Sequence, residues 1–401
     1  DAIDFAKMAK ENNPNVKIIV GGPHINSLPE SFDKVFDYGV VGEGEKALVE
    51  LIDAIINNKD ISKIKGLIYY KNNKLVYNQK REFSKELEWE LDYNLLNKGY
   101  FKKTFVSPIY GFERSIGIMT SLGCPFKCRF CSVGICWSKI RFRELNDVIK
   151  EIENLYYNFK VKHIHLYDDL FSTNIPRLKE FHKKLKDKGL LGKISFGCQT
   201  KSNMINEEVC MYLKMLNIKI IMIGFESASD RILKYIKNDQ FISVESHKKA
   251  IEICRKYGIA VYGGIIFAIP GEKLEDMQKS LDFIDYGLKN GVGRMWPQIL
   301  VPLPGTEIWE IAKKRGKIGK DFFKSDINMS NKEKPLLLDP DVKYEDFLKI
   351  YESAISKCKT FTYKIIIKTL ARNPFSIFYF IGDSFYYLKR MKNYLKSAPI
   401  N

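Results

Sequence analysis

The chain has 401 residues, length for two or three domains, and its 45% hydrophobic share suffices for a substantial core. Its longest uncharged run, Tyr257 to Gly271, is too short to cross a bilayer and no signal-peptide pattern is read at the start, which excludes a helical membrane protein and a secreted disulfide scaffold. The net charge of +17 comes from 53 Lys against only 12 Arg, so it reads as a solvated Lys surface rather than as the Arg-rich patch of a nucleic-acid reader.

In chain order, residues 1–12 carry Ile3, Phe5, Ala6 and Met8 in a helical pattern. Val16 to His24 predicts a buried strand that ends in a glycine turn. Phe36 to Glu45 predicts a second short strand with a loop, and Ala47 to Ile56 an amphipathic helix. This alternation is a piece of a parallel α/β unit, too short for a complete domain. Gly66 to Asn78 predicts a hairpin turning at Asn72-Asn73. Residues 84–112 give mixed signals and read as a connector.

From Arg114 to Arg315 the pattern becomes regular. Six strand candidates (115–121, 163–169, 194–200, 218–227, 259–272 and 295–306) are separated by helical stretches. The first of these helices carries Leu145, Val148, Ile149, Ile152, Leu155, Tyr156 and Phe159 at helical spacing. Six strands alternating with helices imply a parallel sheet closed, or nearly closed, into a barrel with its chemistry at the C-terminal strand ends. A polar segment from Lys317 to Pro335 then leads into a helical tail. Within that tail Phe375 to Lys396 mixes aromatics with Lys, suited to packing over an open barrel or to resting on a membrane surface.

Four of the eight cysteines fall within thirteen residues, which points to metal in a reducing compartment. Cys124, Cys128 and Cys131 follow C-x3-C-x2-C immediately after a strand candidate. Three thiolates on a short loop hold three irons of a [4Fe–4S] cluster and leave the fourth open. Zinc is the rival, because Cys136 offers a fourth thiolate; packing is the plainer role for Cys136. His163 and His165 alternate with Ile164 and Leu166 and read as wall histidines, since two histidines alone make no metal site.

The cysteine spacing, with Phe130 at the aromatic position, resembles the signature of the radical S-adenosylmethionine (radical SAM) superfamily, and the likeness extends from Ser115 to Arg315. The resemblance implies a partial (β/α)6 TIM-like barrel over residues 113–315. It implies that the open iron chelates S-adenosylmethionine, and that one electron splits the sulfonium bond to give a 5′-deoxyadenosyl radical. By the same resemblance Asp168 and Asp169 stand where relatives place acidic partners of the methionine amine. Lys201 stands near the methionine carboxylate, and Glu226 with Ser227 near the ribose or methionine end. A helix cap for the aspartates, simple surface exposure for Lys201 and plain turn-forming for Pro270-Gly271 are the structural alternatives. Ala268 stands where relatives often carry Gly.

Val20 to His24, followed by Asp37 to Glu45, resembles the second half of the cobalamin-binding domain that precedes many radical SAM domains. Gly21 and Gly22 then let the backbone approach a flat ligand. The implied organisation is a partial Rossmann-like cobalamin-binding domain (1–60), a hairpin and connector (61–112), the barrel (113–315) and a helical C-terminal region (316–401). The family's Asp-x-His-x-x-Gly segment does not occur here. Its place lies before Asp1, so a fragment of a longer protein, or a vestigial domain, is expected. The implied cofactors are a [4Fe–4S] cluster, S-adenosylmethionine and cobalamin. The implied activity is methyl transfer to an unactivated carbon or phosphorus. A radical cyclase or isomerase is the alternative within the enzymes, and a zinc or iron–sulfur RNA-binding module the alternative outside them. A ferredoxin or flavodoxin donor and an anaerobic cytoplasm follow from the same resemblance.

Overall fold

The computed structural model describes residues 2–87, 89–101, 103–107, 111–319 and 335–372. The predicted tail from Phe375 to Lys396 and most of the polar segment before it lie outside the described residues. The described residues fall into two compact units. One comprises those of Asp1–Leu87, Leu122–Phe142 and Val301–Asp326, the other those of Glu88–Ser121, Arg143–Leu300 and Ile327–Asn401.

The first unit is built on a four-stranded sheet in the order β1 (Ile19–Val20), β2 (Tyr38–Val40), β3 (Leu67–Lys71), β4 (Lys74–Tyr77). β1 and β2 are parallel, and the remaining pairs are antiparallel. Side chains alternate across a strand, so Ile68 joins Ala6, Ile25, Phe32 and Phe36 on one face while Leu67 and Tyr69 join Val40, Ala47, Leu51 and Ala54 on the other. Helix α1 (Ala2–Asn12) contributes Ala6 to the first cluster and α3 (Gly44–Ile56) contributes Ala47, Leu51 and Ala54 to the second. Between them α2 (Pro23–Ser27) starts at Gly22. The hairpin turns where expected: Lys71 pairs with Lys74, and Asn72 and Asn73 have φ of 49° and 61°. Two positive φ values match the twist of a two-residue hairpin, and Asn tolerates them better than most residues.

The second unit holds a seven-stranded sheet. β5 (Lys103–Ser107) pairs antiparallel with β6 (Gly111–Ile118). After β6 the chain runs through a short ribbon, β7 (Ser121–Leu122) with β8 (Arg141–Phe142), whose connection contains the cysteines and the one-turn α4 (Val133–Cys136). The strands β9 (His163–Leu166), β10 (Ser195–Thr200), β11 (Ile218–Glu226), β12 (Ala260–Phe267) and β13 (Val292–Ile299) then add in sequence order, each parallel to the last, starting beside β6. Helices α5 (Leu145–Tyr157), α6 (Ile175–Asp187), α7 (Glu207–Met215), α8 (Asp230–Lys237), α9 (Val244–Lys256) and α10 (Leu274–Lys289) connect them. The apolar stripes of α5, α6, α7, α9 and α10 share a single core with alternate strand residues: Leu145, Val148, Ile149, Ile152 and Leu155 of α5 are buried with Ile164 and Leu166 of β9. Asn174, Asn206 and Ser243 cap α6, α7 and α9 through side-chain oxygens.

One expectation changes. The segment 84–112 contains β5 and the start of β6, an edge pairing that its mixed composition hid. The sheet is the expected partial barrel, curled and open, with β5 and β13 as its two edges. After α11 (Glu307–Lys314) in the first unit, α12 (Tyr344–Arg372) packs in the second unit on α10 and β13. There Phe347, Tyr351 and Ala354 are buried and the Tyr351 ring meets Phe267 edge-on. No helix among the described residues is long and apolar enough to cross a membrane.

Candidate cofactor site

The cysteine loop belongs to the first unit. Two glycines shape it. Gly123 has φ of 104°, and a Cβ there would stand 2.2 Å from the Lys139 carbonyl oxygen; a Cβ on Gly134 would stand 2.6 Å from that of Phe126. No other residue type fits either place without moving backbone. Cys124 N–H donates to Trp137 O at 3.0 Å and closes the loop, while Cys131 N–H donates to Cys128 O at 3.1 Å. Arg129 pairs with Glu307, and Ile308 N–H donates to Arg129 O, so α11 supports the loop from outside.

Burial separates the thiols sharply. Cys124, Cys128 and Cys131 are partly exposed, whereas Cys136, Cys198, Cys210, Cys254 and Cys358 are buried. Cys136 packs with its Sγ 3.8 Å from Ser27 Oγ, and burial pushes its thiol up from the ordinary value. It is a packing cysteine. Three partly exposed thiolates on one short loop, with Cys136 buried against Ser27, form a donor set that fits a [4Fe–4S] cluster with one open iron.

The other predicted residues lie at strand ends of the second unit, where the structure gives them partners. Asp168, 1% exposed, accepts from Thr120 N at 2.6 Å, Thr120 Oγ1 at 2.5 Å and Ser121 Oγ at 2.6 Å. Burial pushes its carboxyl up, and those hydrogen bonds oppose the shift. Its position makes it an anchor for the end of β6 rather than an exposed acceptor for an amine. Asp169 follows it in the chain, with 3-10 turn residues Phe171–Thr173 beyond. Lys201 is buried and donates to Asp239 Oδ2 at 2.8 Å, so it is not simply a surface lysine. Burial pushes the Asp239 carboxyl up, but the bonds from Lys201 and Phe241 N–H outweigh it and leave the group below its ordinary value.

Glu226 ends β11 with φ of 62°, and its Oε1 accepts from Lys237 Nζ at 2.8 Å. The side chain folds back over Gly224, where a Cβ would come within 2.1 Å of Oε1. Ser227 is fully buried; its N–H donates to Phe225 O at 2.8 Å and its Oγ accepts from Ser229 N–H at 3.2 Å. In the first unit, Gly22 has φ of 96° and nothing lies within 4 Å of a Cβ placed on it, so its requirement is conformational; a Cβ on Gly21 would make ordinary contact with Val40.

Several residues escaped the sequence reading. Arg143 N–H and Arg177 Nη2 both donate to Thr120 O, Arg143 Nη1 donates to Met119 O at 2.8 Å, and Arg177 Nη2 donates to Arg143 O at 2.8 Å. The points where the chain leaves for and returns from the cysteine loop are thus tied to each other. His247, fully buried, donates from Nε2 to Phe225 O at 3.0 Å, so its Nδ1 accepts from Ser202 Oγ at 2.7 Å; burial pushes it down to about 3 and keeps it neutral. Glu272, also fully buried, accepts from Ile269 N–H through Oε2, has no partner for Oε1, and is pushed up to about 8 by burial. Only the Pro270-Gly271 turn hinted at Glu272; Arg143, between β8 and α5, and Arg177 and His247, on helices, gave no signal.

Comparison with known proteins decides the family. The pattern defining the Radical SAM superfamily matches residues 118–284, and that of the B12 binding domain matches residues 1–52. The chain belongs to the radical SAM superfamily. Within that superfamily it falls in the branch that carries a B12-binding domain. An uncharacterized methyltransferase of Pyrococcus horikoshii is 32% identical over 78% of this chain, which spans 66% of that relative. Bacteriochlorophyllide d C-8(2)-methyltransferase of Chlorobaculum tepidum is 25% identical over 89% of this chain and 74% of its own length. In fold, this radical SAM chain is similar to TsrM from Kitasatospora setae, a radical S-adenosylmethionine methyltransferase solved with tryptophan substrate (TM-score 0.65, 20% identity, 78% of this chain and 61% of that one). Membership in the radical SAM superfamily implies a [4Fe–4S] cluster and S-adenosylmethionine as cofactors, and the B12-binding match over residues 1–52 supports cobalamin beside them.

Proposed function

We propose that this protein is a radical SAM methyltransferase whose cluster sits on Cys124, Cys128 and Cys131. The observation that carries the reading is the partition of the cysteines: these three are partly exposed on one glycine-shaped loop, and the other five are buried. When bound, the cluster supplies one electron for reductive cleavage of S-adenosylmethionine to a 5′-deoxyadenosyl radical. The chain's own residues hold and orient. The Asp168, Arg143 and Arg177 network fixes both ends of the loop. Lys201 and Glu226, each beside an opposite charge, stand at neighbouring strand ends as the groups toward the methionine and ribose, with Asp169 and Ser227 beside them. Gly21 and Gly22 line the cobalamin side, and the methyl group goes to an unactivated carbon or phosphorus. Relatives named as methyltransferases support that choice; one acts on a chlorophyllide and another on a cytidylyl phosphonate. A small ferredoxin or flavodoxin is the proposed electron donor, in an anaerobic cytoplasm.

The test is mass spectrometry of S-adenosylmethionine products after anaerobic reconstitution with iron, sulfide and cobalamin, reduction, and addition of cell extract. The expected result is 5′-deoxyadenosine together with S-adenosylhomocysteine that depends on cobalamin. Deoxyadenosine alone favours a cyclase or isomerase, a class to which a relative from Cereibacter sphaeroides, named a magnesium-protoporphyrin IX monomethyl ester cyclase, belongs by name. Neither product from a protein with an intact cluster overturns the reading.

A further inference from the structure

In the second unit α5, α6, α7, α9 and α10 share one core with Ile164, Leu166, Phe196, Cys198, Ile221 and Ile223 on one face of the sheet. The alternate residues therefore point to the other, inner face. On that face two rings lie down on glycines. A Cβ on Gly117 of β6 would stand 2.0 Å from the Tyr167 ring, and one on Gly197 of β10 would stand 2.6 Å from His165 Nδ1. Each ring thus occupies the space where a neighbouring strand's side chain would otherwise rise. The two rings are 4.6 Å apart. Tyr167 follows directly on a central strand, yet it is 55% exposed. An aromatic ring flat on the inner face of a sheet, with its own π surface open, is a stacking platform.

Two further observations point to an occupant. His165 Nε2 is buried and has no hydrogen-bond partner, a polar atom that a ligand's edge or a water must satisfy. Burial lowers its basicity, so the imidazole is neutral and offers one donor and one acceptor. Farther along the same face Tyr262 and Trp296 meet edge-on at 5.7 Å, and the Arg294 guanidinium lies 5.1 Å from the Trp296 ring. Between the two aromatic groups the same face carries Gly197, Gln199, Met222 and Gly224, the last beneath the Glu226 side chain.

We propose that the inner face binds a substrate with a planar, conjugated ring, stacked on Tyr167 and hydrogen-bonded at its edge by His165. Calling this ligand the substrate rests on the radical-methyltransferase reading; the planarity requirement rests on the platform alone.

The experiment compares two probes of equal charge and nearly equal size, 2-naphthoate and its saturated, puckered form decahydro-2-naphthoate, by equilibrium dialysis against the full chain. We expect the planar probe to bind at least about tenfold tighter. Tyr167→Ala should bring the two affinities together, and Tyr167→Phe should keep them apart. Gly117→Ala, which lifts the ring, should act like Tyr167→Ala although the phenol remains; far-UV circular dichroism checks that each variant is folded. Equal affinities in the wild-type protein, or a preference untouched by Tyr167→Ala, overturn the proposal. Dialysis needs neither cluster nor turnover, so a failure here is separate from a failure to release deoxyadenosine.

Discussion

The cysteine loop and the strand ends of the parallel sheet hold their polar groups in opposite ways. On the loop backbone groups make the hydrogen bonds of Cys124 and Cys131, glycines set the path, and the three thiols stay partly exposed. At the strand ends the side chains are engaged with one another: Asp168 with Thr120 and Ser121, Lys201 with Asp239, Glu226 with Lys237. The loop's chemistry therefore depends on residue type and spacing, and the chemistry of the strand ends depends on partners far away in the chain. A loop ligand should fail through loss of its metal, whereas a strand-end residue should fail first through stability or positioning.

Cys128→Ala should break the comparison most visibly. It removes one of the three proposed iron ligands, and deoxyadenosine formation should fall about 100-fold or more. Iron and sulfide analysis should show the loss, while Cys136→Ala leaves both at wild-type levels. An unchanged product yield in Cys128→Ala would remove the cluster assignment. Asp168→Ala comes next. It strands two hydroxyls and a backbone N–H in a site with almost no solvent, at a cost of about 3 kcal/mol in a denaturant titration. A variant as stable as the wild type would show that the network is not holding the end of β6.

Gly224→Ala sharpens the strand-end side. A methyl group there drives Glu226 away from Lys237, and S-adenosylmethionine affinity should drop about tenfold, as in Glu226→Gln. Wild-type affinity in both variants would take Glu226 out of the cofactor site. The smallest effect is a pH dependence. Glu272 is neutral in the folded protein up to about pH 8, against an ordinary carboxyl value near 4.5 when unfolded. Its stabilising contribution is complete below the unfolded value and declines as pH rises through the folded one. Glu272→Gln should flatten that fall between about pH 5 and pH 8 in thermal melts. A slope identical to wild type would mean that the carboxyl is charged in the fold.

What the sequence made legible follows the same division. Cys124, Cys128 and Cys131 are visible because their spacing is local. The Asn72-Asn73 turn is visible because two adjacent residues carry the whole conformational demand, and helix α5 because its apolar positions repeat within one element. β5 was missed because an edge strand packs on one neighbour and needs little apolar patterning. Asp168 was legible as a strand-end acid, but its engagement with Thr120, 48 residues earlier, was not. His247 was invisible for the same reason: its two partners, Ser202 and Phe225, come from two other segments. Charge type could be read one residue at a time, and pairing could not.

The uneven burial of the eight thiols gives the native protein an internal standard for chemical labelling. Five cysteines are shielded by the packed interior and report only on unfolding, whereas three stand where an alkylating reagent meets them. In a folded sample the number of alkylated positions becomes a direct gauge of metallation, with Cys124, Cys128 and Cys131 protected when their sulfurs are bound to iron and modified when they are not.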